Sequence, residues 1–436
     1  MLKPKIGLAV IYHPYEEGAE GAPKLLDKTG RILESLGLSV ISSDCPVHDE
    51  RTATLASRKF KEGGADLICL ALATWSSDHL VLDILENLDA PVITWAFPGI
   101  NTGSLCGCQQ IDCVLRELGK EYVFIYGDAP HALKDIWSYS RAVALGKKLR
   151  TIRLGLVGHR TEGMTEVACD ELALKSVIGP RLVYIGSDKL REAIQGIPDD
   201  EAEDKWQEVI EKVGKVNVKK QEGLYSVKAF MALKHIVLED DLAGLATGCY
   251  PDLMGIVCLA HSLLGEEGVM ASCEGDVNSA VAMLMLYELT GKPVHNTDLL
   301  DIHERDNSAV FSHCGSSGFS LAERRADIEL APVRLANSGV CVLFPSRPGT
   351  VTLLNLVGRK DTYRMFVITG QAVPTKMVFP GNPIRVKMPI SMDEFLREVA
   401  RYGFGHHWMI GYGDVRGELL QLGHLLGIKT VLAQKV

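Results

Sequence analysis

A chain of 436 residues is long enough for two or three domains with ample cores, and 47% apolar with 23% charged residues is ordinary for a soluble globular protein. A formal net charge of −9 argues against nucleic acid or an anionic membrane surface as partner. No apolar run approaches the ~20 residues that span a bilayer. The 11 cysteines are scattered, mostly in apolar runs (Cys69, Cys258, Cys341), which fits the reduced thiols of a cytoplasmic protein better than a disulfide framework. Two lysines precede a strand-length apolar run at the start, and no small-residue cleavage site follows before Glu16-Glu17, so no signal peptide is expected.

From Lys5 to about Lys148, short apolar runs alternate with amphipathic stretches. Strands are expected at Ile6–Tyr12, Leu38–Ser42, Leu67–Leu72, Pro91–Phe97 and Tyr122–Tyr126, with helices such as Ala22–Leu36 and Glu50–Glu62 between them. Nearly continuous apolar strands in this alternation predict a doubly wound parallel sheet. The pattern restarts at Thr151, with a strand at Ile152–Gly158, a helix over Gly163–Ile178 and a strand at Leu182–Ile185. An acidic helix entry follows at Pro198–Asp204. Next come a helix over Tyr225–Leu238, a strand at Leu242–Thr247, a helix over Leu253–Leu264 and a strand at 269–273. Val277–Thr290 reads as a mostly buried helix ended by Gly291-Lys292-Pro293.

After about 330 the texture changes. Val340–Phe344, Gly349–Val357, Tyr363–Thr369 and Ile384–Lys387 read as short strands separated by Pro and Gly turns, a β-rich module of barrel or sandwich type. A helix over Ser391–Tyr402, the glycine-rich 403–413 and a helix from Gly417 complete the chain. The expected architecture is α/β: two doubly wound parallel-sheet domains, 1–150 and 151–290, followed by a C-terminal domain, 291–436, containing a small β-barrel.

Strand ends, and the loops after the helices that follow them, are where such folds gather reactive side chains. Glu274, in Ser272-Cys273-Glu274-Gly275-Asp276, ends an apolar strand, where a carboxylate is seldom buried unpaired. Asp276 fits the N-cap of the next helix, which assigns Asp276 to structure and Glu274 to chemistry. Asp298 on its own reads as a turn or N-cap residue, and His313 as a loop histidine. Gly405-His406-His407 is more informative, since flanking glycine lets a backbone carrying two imidazoles approach a site closely. Two carboxylates with one or two imidazoles suit Mn²⁺, Mg²⁺ or Co²⁺ and lack the thiolates of a structural zinc site. HExxH, GxGxxG, Walker A and GxSxG patterns are all absent. Trp75 and the Tyr12-His13-Pro14-Tyr15 loop follow strand ends, each either a sugar-stacking platform or a domain-interface plug. Arg160, Lys234, Arg324 and Arg325 read either as recognising an anionic substrate group or, for most of them, as solvated surface charges.

Three segments together resemble the L-fucose isomerase / L-arabinose isomerase superfamily, in particular its shorter fucose-isomerase-like members. They are Arg153-Leu154-Gly155-Leu156-Val157-Gly158 with Gly163-Met164 and Asp170-Glu171; Cys249-Tyr250-Pro251 with Ala271–Asp276; and Gly405-His406-His407 with Gly413-Asp414. The likeness covers roughly the last two-thirds of the chain, while the first 150 residues match in architecture. The resemblance implies a divalent ion, typically Mn²⁺, held by Glu274, Asp298 and His407, with His406 as a neighbouring polar contact. His313 matches the further histidine ligand of the arabinose branch. It also implies a homo-oligomer, trimer or hexamer, in which one subunit's N-terminal domain covers the next subunit's site, so that Trp75 and His13 contact a neighbour's sugar. The expected activity is aldose–ketose isomerisation of an open-chain sugar through a cis-enediol, with Glu274 and Asp298 as acid and base. Two other readings are a non-catalytic sugar-binding or sensor protein of the same fold and a metal-dependent epimerase or aldolase.

Overall fold

The apolar runs of the first third form one parallel sheet. In the computed structural model, which describes residues 2–359 and 362–432, Leu2–Lys148 is one compact unit. Its strands are β1 (Lys5–Ile11), β2 (Ser39–Ser42), β3 (Leu67–Leu72), β4 (Val92–Ala96) and β5 (Tyr122–Tyr126), ordered β2-β1-β3-β4-β5 and all parallel. Every residue of β3 and β4 is buried, so these strands read as unbroken apolar runs with no alternation. The helix Glu50–Gly63 shows how local chemistry sets the boundaries. Asp49 accepts from the Thr52 N–H at 2.8 Å, Thr52 closes a capping box, and Gly64 ends the helix at φ 68°. The strand order reverses at β1 and β3, which places a crevice at their carboxyl ends, where His13 and Trp75 follow.

The described residues from Leu149 onward form the second unit. It begins with β6 (Arg153–Val157), β7 (Arg181–Ile185), β8 (Lys215–Val216), β9 (Gly244–Thr247) and β10 (Met270–Ser272). Four of these make a parallel sheet in the order β10-β9-β6-β7. The remainder is β-rich: β11 (His295–His303), β12 (Ser308–Ser312), β13 (Glu329–Val333), β14 (Ser338–Leu343), β15 (Gly349–Val357), β16 (Arg364–Val373), β17 (Ile384–Lys387), β18 (His407–Tyr412) and β19 (Lys429–Leu432). The order β15-β18-β11-β12-β17-β16 closes on itself because β16 also pairs with β15, with β19 added in parallel to β16. This is the small barrel expected after the α/β stretches. β8 pairs with β13, and Leu233, Leu245, Phe311 and Trp408 belong to one continuous core, so parallel sheet and barrel are packed as one body. No helix among the described residues is long and apolar enough to cross a membrane.

Four local expectations are corrected. Gly163–Ile178 is not one helix: a 3₁₀ turn at Thr165–Val167 and a short helix at Glu171–Ala173, capped by Asp170, lead into a wide turn at Leu174–Ile178. The helix expected from Leu253 starts only at Cys258, because Gly255 at φ 79° breaks the helical path. The segment around Asp298, read as a turn, lies in β11, where pairing to both β12 and β18 overrides its weak strand propensity. The glycine-rich 403–413 contains β18, and Gly411 lets that strand approach Leu286 of the Val277–Thr290 helix, whose side chain would lie 3.2 Å from an added Cβ.

Two fully enclosed histidines set the acid stability of this unit. His261 contacts Thr247 Oγ1 at 3.1 Å and His295 contacts Ser317 Oγ at 2.8 Å. Burial, reinforced by the nearby charge of His313, pushes His261 down to about 4; burial and Arg347 push His295 down to about 3. The unfolded chain therefore binds more protons than the folded one below the ordinary histidine range, and stability falls as pH drops from about 6.5 toward 4. His295→Gln is expected to flatten the pH dependence of unfolding free energy over this window, by up to about 1.4 kcal/mol per pH unit. Urea titrations of wild type and variant at several pH values check this.

Candidate active site

Three strand ends of the parallel sheet meet at Glu274. After β10, Cys273 is buried and Glu274 takes φ 63°, a left-handed conformation uncommon for a residue with a side chain and costing on the order of 1–3 kcal/mol. The turn is held from both sides. The Glu274 N–H donates to Cys249 Sγ (3.3 Å) and the Gly275 N–H to the Thr247 carbonyl (2.9 Å), both from the end of β9. The Thr161 N–H, after β6, donates to the Glu274 carbonyl (3.0 Å). Gly275 is required here, since at φ 71° an added Cβ would lie 2.7 Å from Arg160 Cα. Asp276 then caps the Val277–Thr290 helix, as expected, accepting from the Ser279 N–H (3.0 Å) and the Ser279 hydroxyl (2.6 Å).

The barrel supplies the opposing side chains through its register. Asp298 on β11 pairs with His407 on β18 to one side and with Ser312 on β12 to the other, and His313 follows Ser312 directly. Asn355 fixes the entry to β18 by donating to the carbonyls of Gly405 and His407, both at 2.8 Å. His407 is 4% exposed and lies with Nδ1 2.8 Å from Asp276 Oδ2 and Nε2 3.0 Å from Glu274 Oε2. Its Nε2 is 3.9 Å from Asp298 Oδ1, and His313 Nε2 is 3.9 Å from Asp298 Oδ2 and 4.0 Å from Glu274 Oε1. His406 reaches Glu274 Oε2 at 3.6 Å and Glu166 Oε1 at 2.5 Å.

The electrostatics follow from this packing. Burial works to raise the Glu274 carboxyl, but hydrogen bonds from His406 and His407 and the charge of His313 outweigh it and hold the acid well below the usual carboxylate range. Burial works to lower His407, but Asp276 and Glu274, one facing each ring nitrogen, together push it up to about 10. His313 is also raised against its burial, by Cys314 and Asp298.

Five of the seven residues singled out from the sequence, Glu274, Asp298, His313, His406 and His407, thus come together. Donor atoms of Glu274, His313 and His407 lie within 4.8 Å of one another, as do those of Asp298, His406 and His407. A divalent ion, with ligand bonds of roughly 2.2 Å, would need these donors drawn together by a few tenths of an ångström. Asp298 Oδ1 is buried without a hydrogen-bond partner, as a carboxylate oxygen kept for a cation would be. The oxygen and nitrogen donors, with no thiolate among them, fit a hard or borderline ion. His13 and Trp75 lie in the other unit, beside each other with ring centroids 5.7 Å apart. Trp75 Nε1 donates to Gln110 Oε1 (2.8 Å), whose amide donates to Asp78 (2.9 Å), so the indole is pinned in place. Of the cations considered for an anionic group, Lys234 is paired with Glu267 and Arg324 with Asp327, Arg325 is in a separate cleft with Lys205 and Phe230, and Arg160 abuts the Glu274 turn. The sequence reading missed Glu166, which had no signal beyond its place in an expected helix, and the bond from Asp276 to His407.

The fold and this carboxylate–imidazole cluster define a class of α/β protein whose site is built where a parallel sheet faces a closed barrel. No protein-family model matches the chain. Among curated proteins it is similar to the sulfoquinovose isomerase of Priestia aryabhattai, at 26% identity over 382 residues, covering 84% of this chain and 85% of that protein. The sulfoquinovose isomerase of Alkalicoccus urumqiensis is 24% identical over 383 residues (84% and 86%), and that of Clostridium sp. (strain MSTE9) is 24% identical over 433 residues (94% and 95%). A crystal structure of a periplasmic sugar-binding protein of an ABC transporter from Legionella pneumophila aligns with 67% of this chain and 97% of its own at 11% identity. Its TM-score of 0.18 is too low to bear on the fold.

Gly275→Ala is expected to destabilise the protein by about 2–4 kcal/mol, since it combines a strained φ with a clash against the Arg160 backbone. Denaturant unfolding of the purified variant measures it.

Proposed function

We propose that this chain is an aldose–ketose isomerase acting on an open-chain sugar through a cis-enediol, with Glu274 and Asp298 as acid and base. The observation that carries the reading is the convergence of Glu274, Asp298, His313 and His407 from four separate strands on one small volume. The relatives named sulfoquinovose isomerase, similar over most of their length, support the same reaction class. Sulfoquinovose or a similar anionic aldose is the substrate we propose; Arg160, whose backbone lies against Gly275 and whose guanidinium donates to the Thr161 carbonyl, is the cation we propose for its anionic group.

Isomerisation takes a proton from one carbon and returns it to its neighbour, while a proton moves between the two oxygens. Glu274, held ionised by its histidine neighbours, is in the protonation state from which it would accept a proton. Asp298 lies across from it on the barrel side, with His313 in reach of both acids, so the pair brackets a bound carbon–carbon unit. His407 is fixed on both ring nitrogens and orients the Glu274 carboxylate. Glu274, Asp298 and His407, with His313 as a fourth donor, would hold a divalent ion, Mn²⁺ being the one we propose. When bound, that ion supplies Lewis acidity to the substrate oxygens, which acidifies the adjacent C–H.

An aldose panel that includes sulfonated and neutral sugars, assayed for ketose with and without Mn²⁺ in D₂O, tests the activity. Turnover that needs Mn²⁺ and places deuterium at the product carbon is expected. Glu274→Gln and Asp298→Asn should each lower turnover by about 100-fold or more, and near-normal turnover in either one removes it from the acid/base pair. Because Glu274, Asp298 and His407, which would hold the ion, come from the end of β10, β11 and β18, chelation should also lower the thermal midpoint. The loss corresponds to about 2.7 kcal/mol relative to protein held at about 100 times the Kd of the ion. Differential scanning calorimetry with and without chelator checks it.

A further inference from the structure

Asp276 has two tasks that its sequence position does not show together. Its Oδ1 accepts the Ser279 N–H at 3.0 Å, the N-cap of the Val277–Thr290 helix. Its Oδ2 accepts the Ser279 hydroxyl at 2.6 Å and His407 Nδ1 at 2.8 Å. Asp276 and His407 are each 4% exposed, so the contact is shielded from competing water. A helix cap is among the most rigid places to carry a carboxylate, because the backbone N–H fixes the side-chain rotamer. The His407 ring is thus anchored to the parallel-sheet side while its backbone belongs to the barrel.

We infer that Asp276 is a positioning residue that fixes the orientation and tautomer of His407: by holding the proton on Nδ1 it leaves Nε2 as the nitrogen that faces Glu274, Asp298 and the proposed ion. The inference rests on the metal reading given above and adds to it a residue that touches neither substrate nor ion. Outer carboxylates of this kind set which imidazole nitrogen is free to ligate.

The cap geometry makes the role separable from a purely structural one. In Asp276→Asn the amide oxygen takes over the Ser279 N–H, since asparagine caps helices as well as aspartate does. The amide NH₂ then faces the Ser279 hydroxyl, which rotates to accept, and His407 Nδ1, which must become the acceptor. The ring proton moves to Nε2, and the nitrogen needed for the ion is blocked. Asp276→Ser also keeps a cap, but its shorter side chain no longer reaches His407 and imposes no tautomer. Asparagine should therefore be worse than serine, although it is closer in shape to aspartate.

The test is Mn²⁺ affinity of the full chain, read from the electron paramagnetic resonance signal of free Mn²⁺, alongside thermal melts of the metal-free proteins. Affinity should fall about 100-fold in Asp276→Asn and about 10-fold in Asp276→Ser, with cooperative melting in both. Wild-type affinity in Asp276→Asn, or a larger loss in Asp276→Ser than in Asp276→Asn, overturns the inference while leaving the metal reading intact. If Asp276→Asn does not melt cooperatively, wild-type affinity in Asp276→Ser overturns it. A wild-type protein that binds no Mn²⁺ overturns the metal reading and this inference with it.

Discussion

The contact on which the second unit depends is a buried imidazole held between two carboxylates of one turn. His407 enters from the barrel, and Glu274 and Asp276 come from the end of the parallel sheet, 2.8–3.0 Å away on either side of the ring. A buried polar group is tolerated only when hydrogen-bonded, so an imidazole that meets an acid at each nitrogen makes sheet and barrel mutually dependent. Removing either acid leaves the other side of the ring uncompensated. The site is therefore part of what joins the two layers.

Around that contact the fold concentrates its local irregularities. Glu274 is left-handed, Gly275 lies against the backbone of Arg160, and Gly248 runs so close to His159 that an added Cβ would meet its carbonyl oxygen at 2.0 Å. Backbone in such positions persists when its surroundings over-determine it. Here the surroundings are the Thr161 N–H after β6, the Thr247 carbonyl that ends β9 and the thiol of Cys249. On the barrel side, Asp298, His407 and His313 owe their positions to antiparallel register, with a register shift between Leu299 and Asp301 just past Asp298.

Much of the architecture was legible in the order of residues. Apolar strands alternating with amphipathic helices specify a doubly wound sheet, because period and burial are properties of short windows. Likewise the β-rich change after 330, the cap at Asp276 and the separation of Glu274 from that cap follow from neighbours within a few residues. Glu274, His406 and His407 were visible as candidates because a carboxylate at a strand end, or a histidine pair beside glycine, has no common structural explanation.

What only the tertiary structure decided is how those candidates meet. Asp298 has the local signature of a turn, and its place in β11 is imposed by pairing with β12 and β18 on both sides. The bond between His407 and Asp276 spans 131 residues and that between His406 and Glu166 spans 240, so no window of sequence contains either pair. By itself the sequence determined most of the strands and helices of the parallel sheets and the cap at Asp276, since those depend on short-range sterics and hydrogen bonds. Closure of the barrel and the register of β11 against β18 decided which nitrogen of His407 faces which carboxylate, because orientation is fixed by contacts between elements far apart in the chain.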